Sequence, residues 1–237
     1  MATDPLVALI ANAWAVQFDF DGPICDVFAG RDAAGVACEL AEIVARQAPD
    51  LAQQAKETDD FMEVHRLSLR GGTTLLAAVE GALTAAEVEA VGIAGPPIPG
   101  AVHALRAAHS TGRRVAIVSN NSAECVKVFL ALHGLEEFVH EVVGRPELNP
   151  TLMKPSAHPL LFASAALGVA PKHSVLVGDS VTDVEAAKAA GMGVIGFANK
   201  APKRITLPAA GADAVVASME ALANALARHS PCRSEAP

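Results

Sequence analysis

The chain is predicted to fold as α/β, an open parallel sheet flanked by helices, with an all-helical segment inserted after the first strand. Three observations carry this. The apolar run Ala13 to Phe20 ends in two aspartates and a Gly-Pro breaker. A second such run, Ser174 to Val177, leads through Gly178-Asp179-Ser180 straight into a helix. Between them, residues 36–91 are spaced for helices alone, far too long a stretch for a simple crossover.

Ala13 to Phe20 is of strand length and stops at Gly22-Pro23, so Asp19 and Asp21 stand at its C-terminal end. That end of an open α/β sheet is where loops leave a ligand crevice. Two carboxylates so close repel each other, and a protein that keeps both ionised supplies a cation or raises one pKa. Taken alone, Asp-Phe-Asp-Gly also reads as a solvated turn.

Val36 to Gln47, Asp59 to Leu69, Thr73 to Leu83 and Thr84 to Val91 place apolar residues three to four apart, with breaks at Pro49-Asp50, Gly71-Gly72 and Thr84. Gly95-Pro-Pro-Ile-Pro-Gly100 closes this segment as a stiff hinge. Arg114 to Val118 is the next strand and ends in Ser119, Asn120 and Asn121. Lys154-Pro155 introduces a helix over Ser156 to Leu167. Singly, a strand-end Ser is most simply a helix cap and a Lys before Pro a surface residue.

In Ser174-Val-Leu-Val-Gly-Asp-Ser-Val-Thr-Asp183, Asp179 and Asp183 lie four apart at a strand-to-helix junction and can face one cavity. The helix is expected to open at Asp183 and run to Gly191. Hard oxygen donors without His or Cys suit Mg²⁺ and not zinc. Gly193 to Ala198 and Ala212 to Ala217 are two further strands, the latter at an edge, and Met219 to Arg228 is the last helix. The polar tail 229–237 is expected to be disordered. Trp14 is expected to pack against the first strand.

At 237 residues, 51% hydrophobic and 19% charged, the chain can bury a large core and is not disordered. A net charge of -8 disfavours nucleic acid and anionic membranes as partners. Cys25, Cys38, Cys125 and Cys232 form no ligand or C-x-x-C cluster, which suits a reducing, cytoplasmic setting. The apolar patch Leu6 to Ile10 is short and preceded by Asp4 instead of a basic residue, so it is read as a lead-in to the first strand and not as a signal peptide. No stretch approaches the length of a transmembrane helix.

In this order, Asp19-Phe-Asp21-Gly22, strand-end Ser119, Lys154-Pro155 and Gly178-Asp-Ser-Val-Thr-Asp183 resemble the motifs of the haloacid dehalogenase superfamily, from Ala13 to about Arg228. The resemblance implies a Rossmann-like core over residues 1–24 and 96–228 and a helical cap over 25–95, as in the superfamily's first subclass. It also implies phosphoryl transfer to Asp19 as nucleophile, with Asp21 as general acid and base, and Ser119 and Lys154 holding the phosphoryl group. Mg²⁺ would be held by Asp19, Asp21 through its carbonyl, Asp179 and, directly or at one remove, Asp183. Haloacid dehalogenases lack an acid at the position of Asp21, so a phosphatase like the phosphoglycolate phosphatases is implied, acting on a small phosphorylated metabolite as monomer or homodimer. A phosphomutase of β-phosphoglucomutase type and a non-catalytic binder of phosphate compounds are the alternatives. Pro23 departs from the common pattern and leaves the loop with one N–H fewer. Asn120, Arg31 and the cap residues His65, Arg66 and Arg70 are the candidate substrate contacts, the cations equally readable as a solvated helix face.

Overall fold

Six short strands, β1 (Ala15–Phe18), β2 (Arg114–Val118), β3 (Glu141–Val143), β4 (Ser174–Gly178), β5 (Gly193–Phe197) and β6 (Ala214–Val216), pair in parallel in the order β3-β2-β1-β4-β5-β6. The computed structural model describes residues 4–231. β1 and β4 are buried along their whole length, which is why they read as unbroken apolar runs: a parallel sheet covered on both faces shows neither side of its inner strands to water. The strand order reverses between β1 and β4, and the chain leaves these two strands in opposite directions. A crevice therefore opens beyond their C-terminal ends.

The helices are α1 (Pro5–Asn12), α2 (Ala33–Gln47), α3 (Ala52–Lys56), α4 (Phe61–Ser68), α5 (Thr73–Ile93), α6 (Ala101–Ser110), α7 (Ala123–Leu132), α8 (His158–Leu167), α9 (Val181–Ala189), α10 (Lys203–Ala210) and α11 (Met219–Arg228). Side chains alternate across the strands. Val16, Phe18, Val115, Ile117, Val175 and Val177 pack with α1, α6, α7 and α11 on one face. Ala15, Ala116, Val118 and Leu176 pack with α8, α9 and α10 on the other. The inserted helices α2 to α5 bury a cluster of their own around Val36, Leu40, Val64, Leu75, Val79 and Leu83.

Two sequence expectations change here. Thr84 does not break the helical segment: α5 is one helix of 21 residues. A β-branched residue lowers helix propensity by less than about 1 kcal/mol, too little to end a helix that packs along its length. The early part of α5 packs within the inserted segment, while Ala90 and Val91 are buried in the sheet's own core. The Leu6 to Ile10 patch is helical, because Asp4 caps the Leu6 amide at 2.9 Å and Pro5 takes the first position. Within the segment Gly95 to Gly100, Ile98 N donates to Ile24 O at 2.9 Å, joining the two chain crossings.

Arg113 ties α1 and α11 to the sheet. It is 1% exposed and donates to Ala13 O at 3.1 Å, Ile10 O at 2.9 Å and the carbonyls of Leu226 and His229, so one cation satisfies carbonyls in the last turns of α1 and α11. Burial lowers its pKa to about 10, which still leaves it charged at neutral pH. Trp14 stacks on His173 at 4.2 Å between ring centroids. Of the tail expected to be disordered, residues 232–237 lie outside the described residues, Cys232 among them. Cys25, Cys38 and Cys125 carry free thiols. Among the described residues, no helix is long and apolar enough to cross a membrane.

Candidate active site

Asp19, Ser119 and Asp179 are each the first residue past the end of a strand, β1, β2 and β4 respectively. Phe18 is in register with Ile117 on one side and Val177 on the other, so Asp19 is level with Val118 and Gly178, and Ser119 and Asp179 stand one residue beyond it on the neighbouring strands. Asp19 N donates to Val177 O at 2.8 Å and Ser119 N to Val143 O at 2.9 Å, extending the ladder by one bond on each strand.

Lys154 stands behind Asp19. Its Nζ lies 2.8 Å from Asp19 Oδ1, 2.6 Å from Asp183 Oδ1 and 3.1 Å from Val118 O, an acceptor for each of its three protons. Burial alone would discharge this lysine, but Asp183 and Asp19 raise its pKa instead. Asp19 is 8% exposed, and burial, with the nearby charges of Asp183 and Asp179, pushes its pKa well up against the pull of Lys154. Asp183 moves the other way: although burial opposes it, Lys154 and Ser180 hold its pKa below the usual range.

Asp183 Oδ2 accepts from Asp179 N at 3.1 Å, Ser180 N at 3.0 Å and Ser180 Oγ at 2.6 Å. Ser180 and Asp183 thus form the capping box of α9, and Asp183 sits in the first turn, not at the helix start expected from the sequence. Gly178 permits this approach, since a Cβ there would meet the Asp183 side chain. Gly22, at φ +105°, does the same in front, where a Cβ would overlap the Asp179 carboxylate. Asp21 accepts the Val27 amide at 3.1 Å, and burial raises its pKa to about 6. Pro23 lies in the turn between Asp21 and Cys25, whose closing bonds come from Gly22, Ile24 and Cys25 amides and need nothing from position 23.

A cavity of about 360 Å³ opens over these groups. Asp19, Asp21, Ser119, Asn120, Asn121, Lys154 and Asp179 line it from the sheet, and Asp60, Phe61 and Met62 from the start of α4 with Arg66 from its last turn. Four carboxylates face two cations across it. Ligand oxygens of Asp19, Asp179 and Asp183 come within 4.8 Å of one another. With both Asp183 oxygens engaged, Asp19 and Asp179 offer the free ones. A hard, all-oxygen donor set with excess negative charge fits a divalent cation such as Mg²⁺.

Residues 15–191 match the family model of the haloacid dehalogenase-like hydrolases. The chain belongs to that family. A plasmid-borne phosphoglycolate phosphatase of Cupriavidus necator is 39% identical over 133 residues, so the match spans about half the length of either chain, 54% of each. A phosphoglycolate phosphatase of Xylella fastidiosa is 27% identical over 202 residues, 79% of this chain and 82% of its own. Among solved structures, CbbY from Rhodobacter sphaeroides in complex with phosphate superimposes with a TM-score of 0.62 at 20% identity, over 89% of this chain and 96% of its own, which speaks for the fold.

In this chain only one of the four sequence-proposed cations, Arg66, reaches the cavity over Asp19. Its guanidinium makes no ion pair or hydrogen bond with any described residue. Arg31 instead binds Glu39 at 3.1 Å, Glu89 and the Ala86 carbonyl. Arg70 lies past the end of α4, so the four-residue spacing no longer aligns it with Arg66, and it donates to Gln54 at 2.6 Å. His65, one residue before Arg66, turns inward and is fully buried, its Nε2 2.6 Å from Glu80. Asn120 lines the cavity, but its side chain bridges the Lys154 backbone, accepting from N at 2.9 Å and donating to O at 3.1 Å. Sequence reading missed Lys203 and Asn199, which both donate to Asp179, and Asn121, whose Oδ1 takes the Ser119 hydroxyl at 3.1 Å. The place of Asn121 two residues after Ser119 was the available signal. Nothing local marks Lys203.

Glu80 makes a pH-dependent contribution. Burial would raise its pKa, but His65 on α4 and Arg145 after β3 hold it below 4.5. A carboxyl whose folded pKa is depressed stabilises the fold fully above its ordinary value, and that stabilisation is lost as pH falls through the folded value. Urea unfolding from neutrality to below pH 4.5 is therefore expected to show a shallower loss of stability in Glu80→Gln than in the unmodified chain.

Proposed function

We propose that this chain is a Mg²⁺-dependent phosphatase that hydrolyses a small phosphorylated metabolite through an aspartyl-phosphate on Asp19. The observation that carries the reading is the environment of Asp19: a nearly buried carboxylate held by Lys154 at the end of β1, flanked by Ser119 and Asp179 just past the ends of the two neighbouring strands. Lys154 and the Phe20 amide both bind Oδ1, which leaves Oδ2 to attack phosphorus. As the Asp19–phosphorus bond forms, the bond to the leaving oxygen breaks and protonated Asp21 supplies that oxygen's proton. A pKa of about 6 keeps a usable fraction of Asp21 protonated near neutrality. The Asp21 carboxylate then takes a proton from water, whose oxygen attacks phosphorus and frees Asp19 and inorganic phosphate. Lys154 supplies its positive charge beside the phosphoryl group from its place against Asp19, and the Ser119 hydroxyl turns from Asn121 to a phosphoryl oxygen. Asp19 and Asp179 would hold Mg²⁺, which when bound supplies the charge that lets a phosphate dianion approach a carboxylate. Asp183 acts on Lys154 from behind.

The unpaired Arg66 favours a substrate whose leaving group is itself anionic, and the phosphoglycolate phosphatases among the relatives make 2-phosphoglycolate the first compound to try. The acidic chain and its free thiols suit a cytoplasmic enzyme. The test is phosphate release from short carboxylated phosphates, sugar phosphates and an aryl phosphate, with Mg²⁺ or EDTA. Release that needs the metal and is fastest with a carboxylated substrate is expected. No release from any compound would overturn the reading, and turnover confined to added sugar bisphosphate would move it to a mutase. Losing a charge-assisted hydrogen bond costs about 1.5–3 kcal/mol, so Arg66→Met should raise KM for the carboxylated substrate by about 10- to 100-fold and leave the aryl phosphate within about threefold.

A further inference from the structure

The described residues include a buried ionic network that none of these chemical steps uses. Arg145, in the loop after β3, is 6% exposed and spends all five of its N–H donors. Nε binds Glu80 at 2.7 Å; Nη1 binds Glu87 Oε1 at 2.7 Å and the Asn120 carbonyl at 3.0 Å; Nη2 binds Thr84 Oγ1 at 3.2 Å and Glu87 Oε2 at 3.4 Å. Glu80, Thr84 and Glu87 all come from α5, the helix that runs from the inserted segment into the sheet's core.

The other side of the network is the loop that follows β2. Fully buried Glu87 accepts from Asn121 Nδ2 at 3.2 Å and from Ser122 N at 2.9 Å, and Arg145 N donates to Asn121 O at 2.8 Å. Asn121 holds the Ser119 hydroxyl, and Asn120 holds the backbone of Lys154. Lys154 is therefore one residue, Asn120, removed from the Arg145 guanidinium, and Ser119 is two removed, through Asn121 and Glu87. Burying these ions is costly, and an apolar replacement of similar shape is often as stable, so stability alone gives weak reason for the network. A planar fork with every donor engaged does fix relative position, which a flexible ammonium does not.

We propose that Arg145 is a positioning residue that locks the Ser119–Asn121 loop, and through it Lys154, to α5, so that the phosphoryl cradle and the helix bearing the cap are set as one unit. The proposal rests on the reading of this site as a phosphoryl site, and inorganic phosphate with Mg²⁺ serves as the probe. Arg145→Lys keeps the charge with three donors in place of five, and Glu87→Gln keeps the shape without the charge. A misplacement near 1 Å costs on the order of 100-fold in rate, so each variant is expected to raise the Kd for phosphate at least about tenfold and lower kcat at least about tenfold. Glu89→Gln, on the same helix but paired with Arg31 at the surface, should change neither by more than about twofold.

A cooperatively folded Arg145→Lys with phosphate Kd and kcat within about twofold of the unmodified enzyme would overturn the proposal. Should the variants not fold, the Arg145 Nε–H resonance of the unmodified protein gives the answer: it is expected to shift when phosphate and Mg²⁺ bind, and an unmoved resonance at saturation overturns the proposal equally. Phosphate release by the unmodified protein is followed in parallel. Phosphate binding without turnover of any substrate would defeat the phosphatase reading and leave the Kd comparison to judge Arg145, whereas failure to bind phosphate at all would defeat both.

Discussion

Asp19→Asn is expected to lower phosphate release by about 10⁴-fold or more, because the proposed reaction then lacks its nucleophile and an amide oxygen is a poor substitute. The fold should survive. Asn keeps the shape and an oxygen that can accept from Lys154 Nζ and the Phe20 amide, the two bonds now made to Asp19 Oδ1. Stability is expected to stay level or rise: burial and the neighbouring aspartates raise the pKa of Asp19, so its ionised form is a cost to the folded state at neutral pH that a neutral side chain does not carry. Steady-state release and thermal unfolding of the same sample check both halves. An active Asp19→Asn enzyme would remove Asp19 from the chemistry, and a collapsed fold would show that the carboxylate is held for structure.

Lys154→Met should do the opposite to stability. It leaves the carboxylates of Asp19 and Asp183 facing each other in the interior without the cation that now sits 2.8 and 2.6 Å from them. Breaking a buried ion pair from one side costs about 3–5 kcal/mol, to be read from denaturant unfolding, and loss of a preorganised charge at the phosphoryl group should cost about 10²- to 10³-fold in kcat. Adding Asp183→Asn to Lys154→Met is expected to recover part of the stability and none of the activity, since it removes a stranded charge without restoring the ammonium. Equal stability of Lys154→Met and the unmodified chain would contradict the electrostatic picture of this centre.

How far these groups could be read from the sequence follows from how local their signals are. Asp19, Ser119 and Asp179 each end an apolar run, and a parallel strand buried on both faces announces itself by that run and its stop. β3 went unread because it is three residues long, half-buried and opens on Glu141. With β3 missing, Arg145 had no element to place it. Arg31, His65 and Arg70 show the opposite limit: a cation on an amphipathic segment can face the site, a carboxylate partner or water, and the choice depends on which helix packs against it. The break expected at Thr84 was a propensity signal overridden by packing, because α5 is held at one end by the inserted helices and at the other by the sheet's core.

The most direct test of the central claim is to quench the enzyme in acid during turnover of a good substrate and map the phosphoryl group by peptide mass spectrometry. An aspartyl-phosphate mechanism predicts the group on the peptide that carries Asp19, more abundant in Asp21→Asn, where water is activated slowly, and absent in Asp19→Asn. Steady turnover with no phosphoryl group on Asp19 under conditions that preserve acyl phosphates, or with the group on another residue, would contradict it.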